Sequence, residues 1–420
     1  MPTKYPAHPY RPSGRSTAAH RWGFWVAAIA FLLNMAFSAV PTPLYSIYAV
    51  RDGLDSVAIT LVYAVYAAGV IASLFLGGHL SDWVGRKVIF VPALLINVAS
   101  AGIFMVWPSF AGLLVARVVS GVSVGLTTAT ATAFLSELHL GARPGVAVRR
   151  AQIIATAANL GGIGFGPIVA GVLAQYAPAP LQLPYFVFGA AIAVLAVLVS
   201  LSPETALVPD PVPKYRPQRM AVPSATRGTF LAATAAGVAA FAIFGVFNSL
   251  VPTFLAGTLH ETSRAVAGAV AFAAFAAGAA AQILFSRWDT RAMLRRSIPI
   301  LAVGLILFAI GMWMPNLVVF VVGGVVTGAG AGLVFRAAMI IAGEAALPEA
   351  RAEVLAGFFL GAYVGLSVPV IGLGVATLIW PARDVMLVFI ALVLGALIAA
   401  VVALTSRRQL APPPGRDRRI

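Results

Sequence analysis

The sequence predicts an all-α membrane protein whose twelve transmembrane helices form two pseudo-symmetric bundles of six. Three observations predict this class: an apolar composition, twelve long uncharged stretches, and a polar segment that divides them six and six. Of the 420 residues, 60% are hydrophobic and only 10% are charged. Soluble domains carry roughly 25% charged residues, so this chain has too few charges to cover a surface that faces water.

A helix that crosses the hydrocarbon core needs about 20 mostly apolar residues. Such stretches predict spans at approximately 22–48, 56–79, 88–107, 110–136, 151–176, 183–202, 228–256, 263–285, 297–314, 317–342, 353–380 and 384–405. The first span is longer than the apolar region of a signal peptide, so we expect no cleavage there.

The basic residues follow the topology that these spans predict. With the N-terminus in the cytosol, 23 of the 28 Lys and Arg residues fall in cytosolic segments and three in outer loops. Short loops rich in Lys and Arg stay on the cytosolic side. The net charge of +15 is therefore a topology signal. It predicts a multi-pass protein of the plasma membrane (bacterial inner membrane) with both termini cytosolic, and it gives nucleic-acid binding no support.

A polar segment at 203–227 separates the two sets of six spans. It holds six prolines and a cluster of basic residues, which predicts a semi-rigid cytosolic linker. The expected organisation is a cytosolic tail at 1–21, a six-helix bundle at 22–202, the linker, a second bundle at 228–405 and a cytosolic tail at 406–420. At a shift of 207 residues, Glu137 matches Glu344 and Asp82 matches Asp289. These matches predict two parallel repeats.

The loop between the second and third spans carries a distinctive ordered set of residues: Gly78, Asp82, Gly85, Arg86 and Lys87. Glycines permit a tight turn, an aspartate can cap a helix, and a basic pair can bind carboxylates. This loop resembles the signature of the major facilitator superfamily. The resemblance implies the major facilitator fold, a cytosolic gate at this loop, and an acidic partner for the basic residues, for which Glu137 is the candidate.

Two further motifs extend the resemblance. In the fourth span, Arg117 followed by Ser120 and Gly121 is similar to the family's arginine-containing motif. The fifth span carries a helix-packing motif of Gly162, Gly166, Pro167 and Gly171. Glycines spaced by four let helices approach closely, and proline bends a helix. This motif resembles the one typical of the family's antiporters, so it favours export over import.

The resemblance places a substrate cavity between the halves, lined by helices 1, 4, 7 and 10 with support from 2, 5, 8 and 11. The candidate lining residues are Asn34, Phe37, Tyr63, Tyr66, Arg117, Thr128, Asn159, Phe244, Asn248, Phe275, Arg336, Phe359 and Tyr363. Aromatic rings with scattered amides and hydroxyls suit an amphipathic organic molecule. Two alternatives remain open: Arg117 could be a structural hydrogen-bond hub, and Arg336 could extend its side chain to the interface.

Proton coupling has few candidate carriers, because no Asp or Glu lies in the middle of a predicted span. Asn34 lies in the first span, where many proton-driven relatives have a carboxylate, and an amide does not carry a proton at accessible pH. Coupling would therefore need a peripheral acid such as Asp55, Asp82 or Glu137.

Together these features predict a secondary active transporter that exports an amphipathic drug or metabolite by alternating access, as a proton antiporter. The alternative is a facilitator or importer of a small organic solute without proton coupling. We expect no enzymatic activity, since the chain has neither a zinc-protease motif nor a carboxylate pair at membrane depth. We expect no catalytic residue, cofactor or metal. The expected partners are a small-molecule substrate, protons and membrane lipids, and the expected state is a monomer.

Overall fold

A computed structural model describes residues 16–143, 145–206, 215, 222–347 and 350–406. Within them, twelve helices are long and apolar enough to cross a membrane, and there is no strand. The helices are α1 Thr17–Asp52, α2 Ser56–Gly77, α3 Arg86–Val106, α4 Phe110–Ala142, α5 Arg149–Tyr176, α6 Leu183–Leu201, α7 Arg227–Ser249, α8 Arg264–Leu284, α9 Thr290–Trp313, α10 Leu317–Glu344, α11 Glu353–Ala376 and α12 Ala382–Leu404. The predicted fold class is confirmed.

Parts of the predicted tails and linker lie outside the described residues. These are residues 1–15 of the first tail, 207–214 and 216–221 of the linker, and 407–420 of the second tail. We call the face of the bundle where α1 begins and α12 ends the terminal face, and the opposite face the distal face.

Capping residues start two helices earlier than hydropathy predicts. The Ser16 side chain accepts a hydrogen bond from the Ala19 amide, so α1 begins before its apolar stretch. The Asp289 side chain accepts one from the Ala292 amide and starts α9. The first turns of α9 are rich in arginine, which a hydropathy window leaves out of the span.

Prolines interrupt the first helix of each half near the distal face. In α1 the α-helix gives way to a 3-10 turn near Pro41 and Pro43, which lack the amide hydrogen that a continuous helix needs. After α7, a separate short helix at Val251–Thr258 begins with Pro252 near its first position. Each half therefore has a proline-associated break at the distal end of its first helix.

In each half the first helix packs against three other helices of the same half. In the N-terminal half α1 packs against α4, α5 and α6, and in the C-terminal half α7 packs against α10, α11 and α12. The halves meet mainly where α2 packs on α11 and α5 packs on α8. Small residues allow the second contact: a Cβ added at Gly171 would overlap the Arg264 carbonyl, and one added at Gly268 would overlap the Pro167 carbonyl.

The distal face is sealed between the halves. Every residue from 34 to 45 of α1 is buried, and so is every residue from 242 to 252 around the end of α7. The Thr42 hydroxyl donates a hydrogen bond to the Asn248 amide oxygen across the interface, at 3.4 Å. The first helices of the two halves thus close the interface at this end.

Toward the terminal face the same interface is less closely packed. Thr132 of α4 is exposed, and the rings of Phe241, Phe335 and Phe359 are half-buried. The structure therefore represents a conformation that is closed at the distal face.

The glycines of α5 set its distance from α1. An added Cβ at Gly162 would lie 2.6 Å from the Leu32 carbonyl oxygen, and one at Gly166 would overlap the carbonyl of Ala36. Because backbone carbonyls in a helix cannot move aside independently, these positions require glycine for the observed packing.

We predict that Gly166→Ala destabilises the protein by about 1–3 kcal/mol, because the methyl group forces α5 away from α1. Gly161→Ala is the matched control on the same helix, since a Cβ at Gly161 meets no atom within 4 Å. The apparent melting temperatures of the purified variants in detergent would be compared. Equal values for both variants would contradict this account of the packing.

Candidate functional site

The signature loop is a tight turn between α2 and α3. Gly78 ends α2, a short helix follows at Leu80–Val84, and α3 begins at Arg86. Gly85 has φ +117°, a backbone conformation that residues with a side chain rarely adopt. This glycine lets the chain reverse so that α3 starts with its basic residue beside α4.

Arg86 lies at the centre of an ionic network and is nearly buried. Its Nη1 is 2.5 Å from Oδ1 of Asp82, and its Nη2 is 2.7 Å from Oε1 of Glu137. The Ser81 hydroxyl accepts a further hydrogen bond from Nη1 at 2.9 Å. The network joins the loop to the terminal end of α4 and fixes the positions of α2, α3 and α4 at this face.

Glu204 completes this network, and the sequence interpretation missed it. Its carboxylate accepts hydrogen bonds from the amides of Arg86 at 2.8 Å and Lys87 at 3.0 Å, so it caps α3. The adjacent Thr205 hydroxyl donates to Oε2 of Glu137 at 2.6 Å. The available signal was an acid directly after the sixth span on a face otherwise rich in basic residues.

Arg117 lies buried near the distal seal, with 1% of its surface exposed. Its guanidinium donates to the carbonyls of Ser38 at 2.5 Å and Tyr63 at 3.3 Å, and it lies 4.4 Å from the ring centroid of Tyr66. Among the described residues, neither Nε of Arg117 nor the hydroxyl of Tyr45 has a hydrogen-bond partner. The cation is therefore held by dipoles and a ring face, without a described carboxylate.

An aromatic row crosses the interface from this arginine toward the terminal face. We define the row as Tyr66, Tyr363, Phe241 and Phe335, whose successive ring centroids are 6.4, 5.6 and 4.7 Å apart. Phe359 lies beside its end, 6.0 Å from Phe335. One ring comes from α2 and three come from α7, α10 and α11, so the row joins the halves.

Asn34 faces the interior of the N-terminal half. Its amide nitrogen donates to Thr127 at 2.9 Å and Ser123 at 3.2 Å, and its oxygen accepts from Asn97 at 2.9 Å. The side chain is fully buried. In this conformation the Asn34 amide holds α1, α3 and α4 together and does not face the interface between the halves.

Phe37 is also interior, since it is fully buried against Phe104 and Tyr185 with centroids 6.3 Å apart in both pairs. Thr128 lies closer to the interface and contacts the sulfur of Met35 at 3.9 Å. Of the residues predicted for the cavity, Asn34 and Phe37 are the two with no exposed surface.

The remaining predicted lining residues lie at or near the contact of the halves. Phe244 and Phe275 stack at 4.7 Å between α7 and α8, and Asn248 belongs to the distal seal. Asn159 is half-buried within a π-helical turn of α5 at 157–161. Such turns occur frequently at functional sites, and they change the direction in which the side chains of a helix point.

Arg336 is the second cation within a span. Its Nη1 donates to the Gln282 carbonyl at 3.0 Å, and its Nε is buried without a partner among the described residues. Arg149 of the other half lies within its electrostatic range and donates to the Ser286 hydroxyl at 3.1 Å. The two arginines come from opposite halves and lie on the terminal side of the interface.

Comparison with known proteins identifies the family. The sequence model of the Major Facilitator Superfamily matches residues 27–260. The chain belongs to this superfamily. It is a multi-pass membrane transporter, and members of this family are not enzymes in general. No curated protein sequence matches the chain.

Solved transporter structures share the fold. The nucleoside transporter NupG has a TM-score of 0.65 at 14% identity, and the match covers 91% of this chain and 98% of its own. A bacterial homologue of the human lysosomal transporter Spinster, solved inward-facing and unoccupied, has a TM-score of 0.64 at 15% identity and covers 93% and 96%. At these identities the likeness establishes the fold and leaves the substrate undetermined.

We predict that Asp82→Asn lowers the transport rate about tenfold or more while the protein still inserts. The substitution keeps the shape of the side chain but removes the charge that faces Arg86. Gly85→Val should have the same effect through backbone strain at φ +117°. Initial rates in proteoliposomes would be normalised to folded protein. Normal transport by a well-expressed Asp82→Asn variant would contradict the assignment of this loop as a gate.

We predict that Glu204→Ala lowers the stability by about 0.5–2 kcal/mol, because two amides at the start of α3 lose their cap. Glu344→Ala is the control, since that side chain is exposed at the end of α10 in the other half. Thermal unfolding in detergent measures both variants. A Glu204→Ala protein as stable as the control would show that the cap contributes nothing.

Proposed function

We propose that the transporter exports an amphipathic organic compound, a drug or a metabolite, by alternating access with proton coupling. The observation that carries this proposal is the aromatic row, which crosses the interface of the halves at a place without described acidic residues. Such a surface favours a molecule with an apolar body, because aromatic rings bury apolar area of the substrate. The rings offer few of the hydrogen-bonding groups that a sugar would need.

The distribution of Lys and Arg supports a cytosolic terminal face, with 203–227 as a cytosolic linker and the plasma membrane, or bacterial inner membrane, as the location. Large apolar side chains on the outside of the bundle, among them Leu392, Val197 and Phe186 at 60% exposure or more, then face lipid. On this orientation the present conformation is sealed toward the outside and less closely packed toward the cytosol. We propose that the protein works as a monomer, since each chain holds both halves.

The direction of transport rests on the glycine-proline motif of α5. Its glycines pack on α1 of the same half and its far end packs on α8 of the other half, so it lies at a contact that must change when the halves rock. The resemblance of this motif to that of the family's antiporters supports export.

Proton coupling would use a peripheral acid. Glu137 is the first candidate, because it is half-buried and shares Arg86 with Asp82 in the gate. Asp55 caps α2 through the Ala58 amide at 2.7 Å, which gives it a structural role. The position of these acids at helix ends favours a second candidate function, a facilitator or importer of a small organic solute without proton coupling.

We predict that cells with the protein accumulate several-fold less of a lipophilic dye than cells with the Gly85→Val variant. A proton ionophore should remove this difference, because coupled export needs the gradient. Dye uptake followed by fluorescence, with and without ionophore, measures both effects.

Greater accumulation in cells with the active protein would indicate an importer and contradict the role given to Gly166 and Pro167. Dye efflux down its own concentration gradient that persists with the ionophore and in Glu137→Gln would support the facilitator.

A further inference from the structure

We propose that the transported compound is an organic anion, and that Arg117 binds its carboxylate while the aromatic row holds its apolar body. This inference rests on the proposed function, since it names the chemical class of that substrate. It is carried by the electrostatics of the interface between the halves.

The first step is that Arg117 has no described carboxylate as a counter-charge. Arg117 is buried with 1% exposure, and its described partners are two carbonyls and the ring faces of Tyr66 and Tyr63, at 4.4 and 5.6 Å. Carbonyl dipoles and ring faces stabilise a guanidinium only in part, because each carries a fraction of a charge. A cation in a membrane helix is normally paired or exposed to a water-filled path.

The second step is the set of unused donors around this cation. Within the described part of the chain, Nε of Arg117 and the hydroxyls of Tyr45 and Ser120 are buried without a hydrogen-bond partner. Ser120 lies one turn after Arg117 on α4, and Tyr45 lies within its electrostatic range. A guanidinium binds a carboxylate through two parallel hydrogen bonds, so Nε and a neighbouring Nη offer the geometry that an anion requires.

The third step is the arrangement of rings and positive charge between this site and the terminal face. The aromatic row begins at Tyr66, which stacks on Arg117, and ends at Phe335, whose neighbour in the chain is Arg336. Arg336 and Arg149 add positive charge on the terminal side, and no described carboxylate pairs with either. Fixed positive charge at both ends attracts an anion and repels a cation.

The competing explanation is that Arg117 is a structural hub. Its two Nη hydrogen bonds to carbonyls serve that role, and a neutral glutamine would replace part of it. A hub does not distinguish a carboxylate from its neutral amide. An arginine that binds the substrate does prefer a carboxylate over its amide. The test measures this preference.

The test uses proteoliposomes and three probes of similar shape: 4-biphenylcarboxylate, the corresponding primary amide, and a biphenyl quaternary ammonium salt. We expect transport of the carboxylate with an apparent affinity at least about tenfold above that for the amide, and no transport of the ammonium salt. Arg117→Gln should remove the preference for the carboxylate, and Arg117→Lys should retain part of it, since an ammonium keeps the charge without the planar fork.

Arg143→Gln is the matched control, because that arginine is exposed at the terminal face. It should leave the preference unchanged. If Arg117→Gln does not fold, the comparison of carboxylate and amide in the native protein and in Arg117→Lys decides the question.

Equal transport of acid and amide by the native protein, or a preference for the ammonium salt, would overturn the anion assignment and leave export of amphipathic compounds standing. A carboxylate preference that persists in folded Arg117→Gln would overturn the role of Arg117. Failure of the native protein to move any of the three probes would overturn both the anion assignment and the proposed function.

Discussion

A guanidinium inside a membrane helix must be stabilised by protein groups, because hydrocarbon does not solvate it. Arg117 meets this constraint with carbonyls of α1 and α2 and with the rings of Tyr63 and Tyr66. These contacts hold together three helices of the N-terminal half next to the distal seal. Any motion that separates these helices and opens the seal must change the surroundings of this cation.

At the terminal face a second arginine, Arg86, holds the helices together. Unlike Arg117, it is paired with carboxylates. Arg86 has full counter-charges in Asp82 and Glu137, and Glu204 caps the helix that carries it. This ionic network therefore lies within one half in the conformation described, while Arg117 has no described charged partner. The two arginines thus differ in their described partners: Arg86 faces carboxylates, and Arg117 faces carbonyls and aromatic rings.

Hydropathy located all twelve spans because the length of a span and its apolar character are properties of the sequence alone. It did not reveal which face of a helix points toward the other half, since both faces are apolar. Asn34 was therefore placed in the cavity, whereas its amide lies within the N-terminal bundle. Glu204 was missed because its partner amide at Arg86 is 118 residues away in the chain. The roles of Arg117 and the aromatic row are still predictions.

The distance between the halves at each face, measured when a carboxylate probe is added, tests most directly whether an anion at Arg117 changes the conformation. The chain has no cysteine, so spin labels at Val50→Cys and Thr253→Cys report the distal face, and labels at Val146→Cys and Leu347→Cys report the terminal face. We expect 4-biphenylcarboxylate to widen the distal distance and shorten the terminal one, and Arg117→Gln to abolish both changes. Distances that stay fixed while the labelled protein transports the probe, or that change equally in Arg117→Gln, would contradict this expectation.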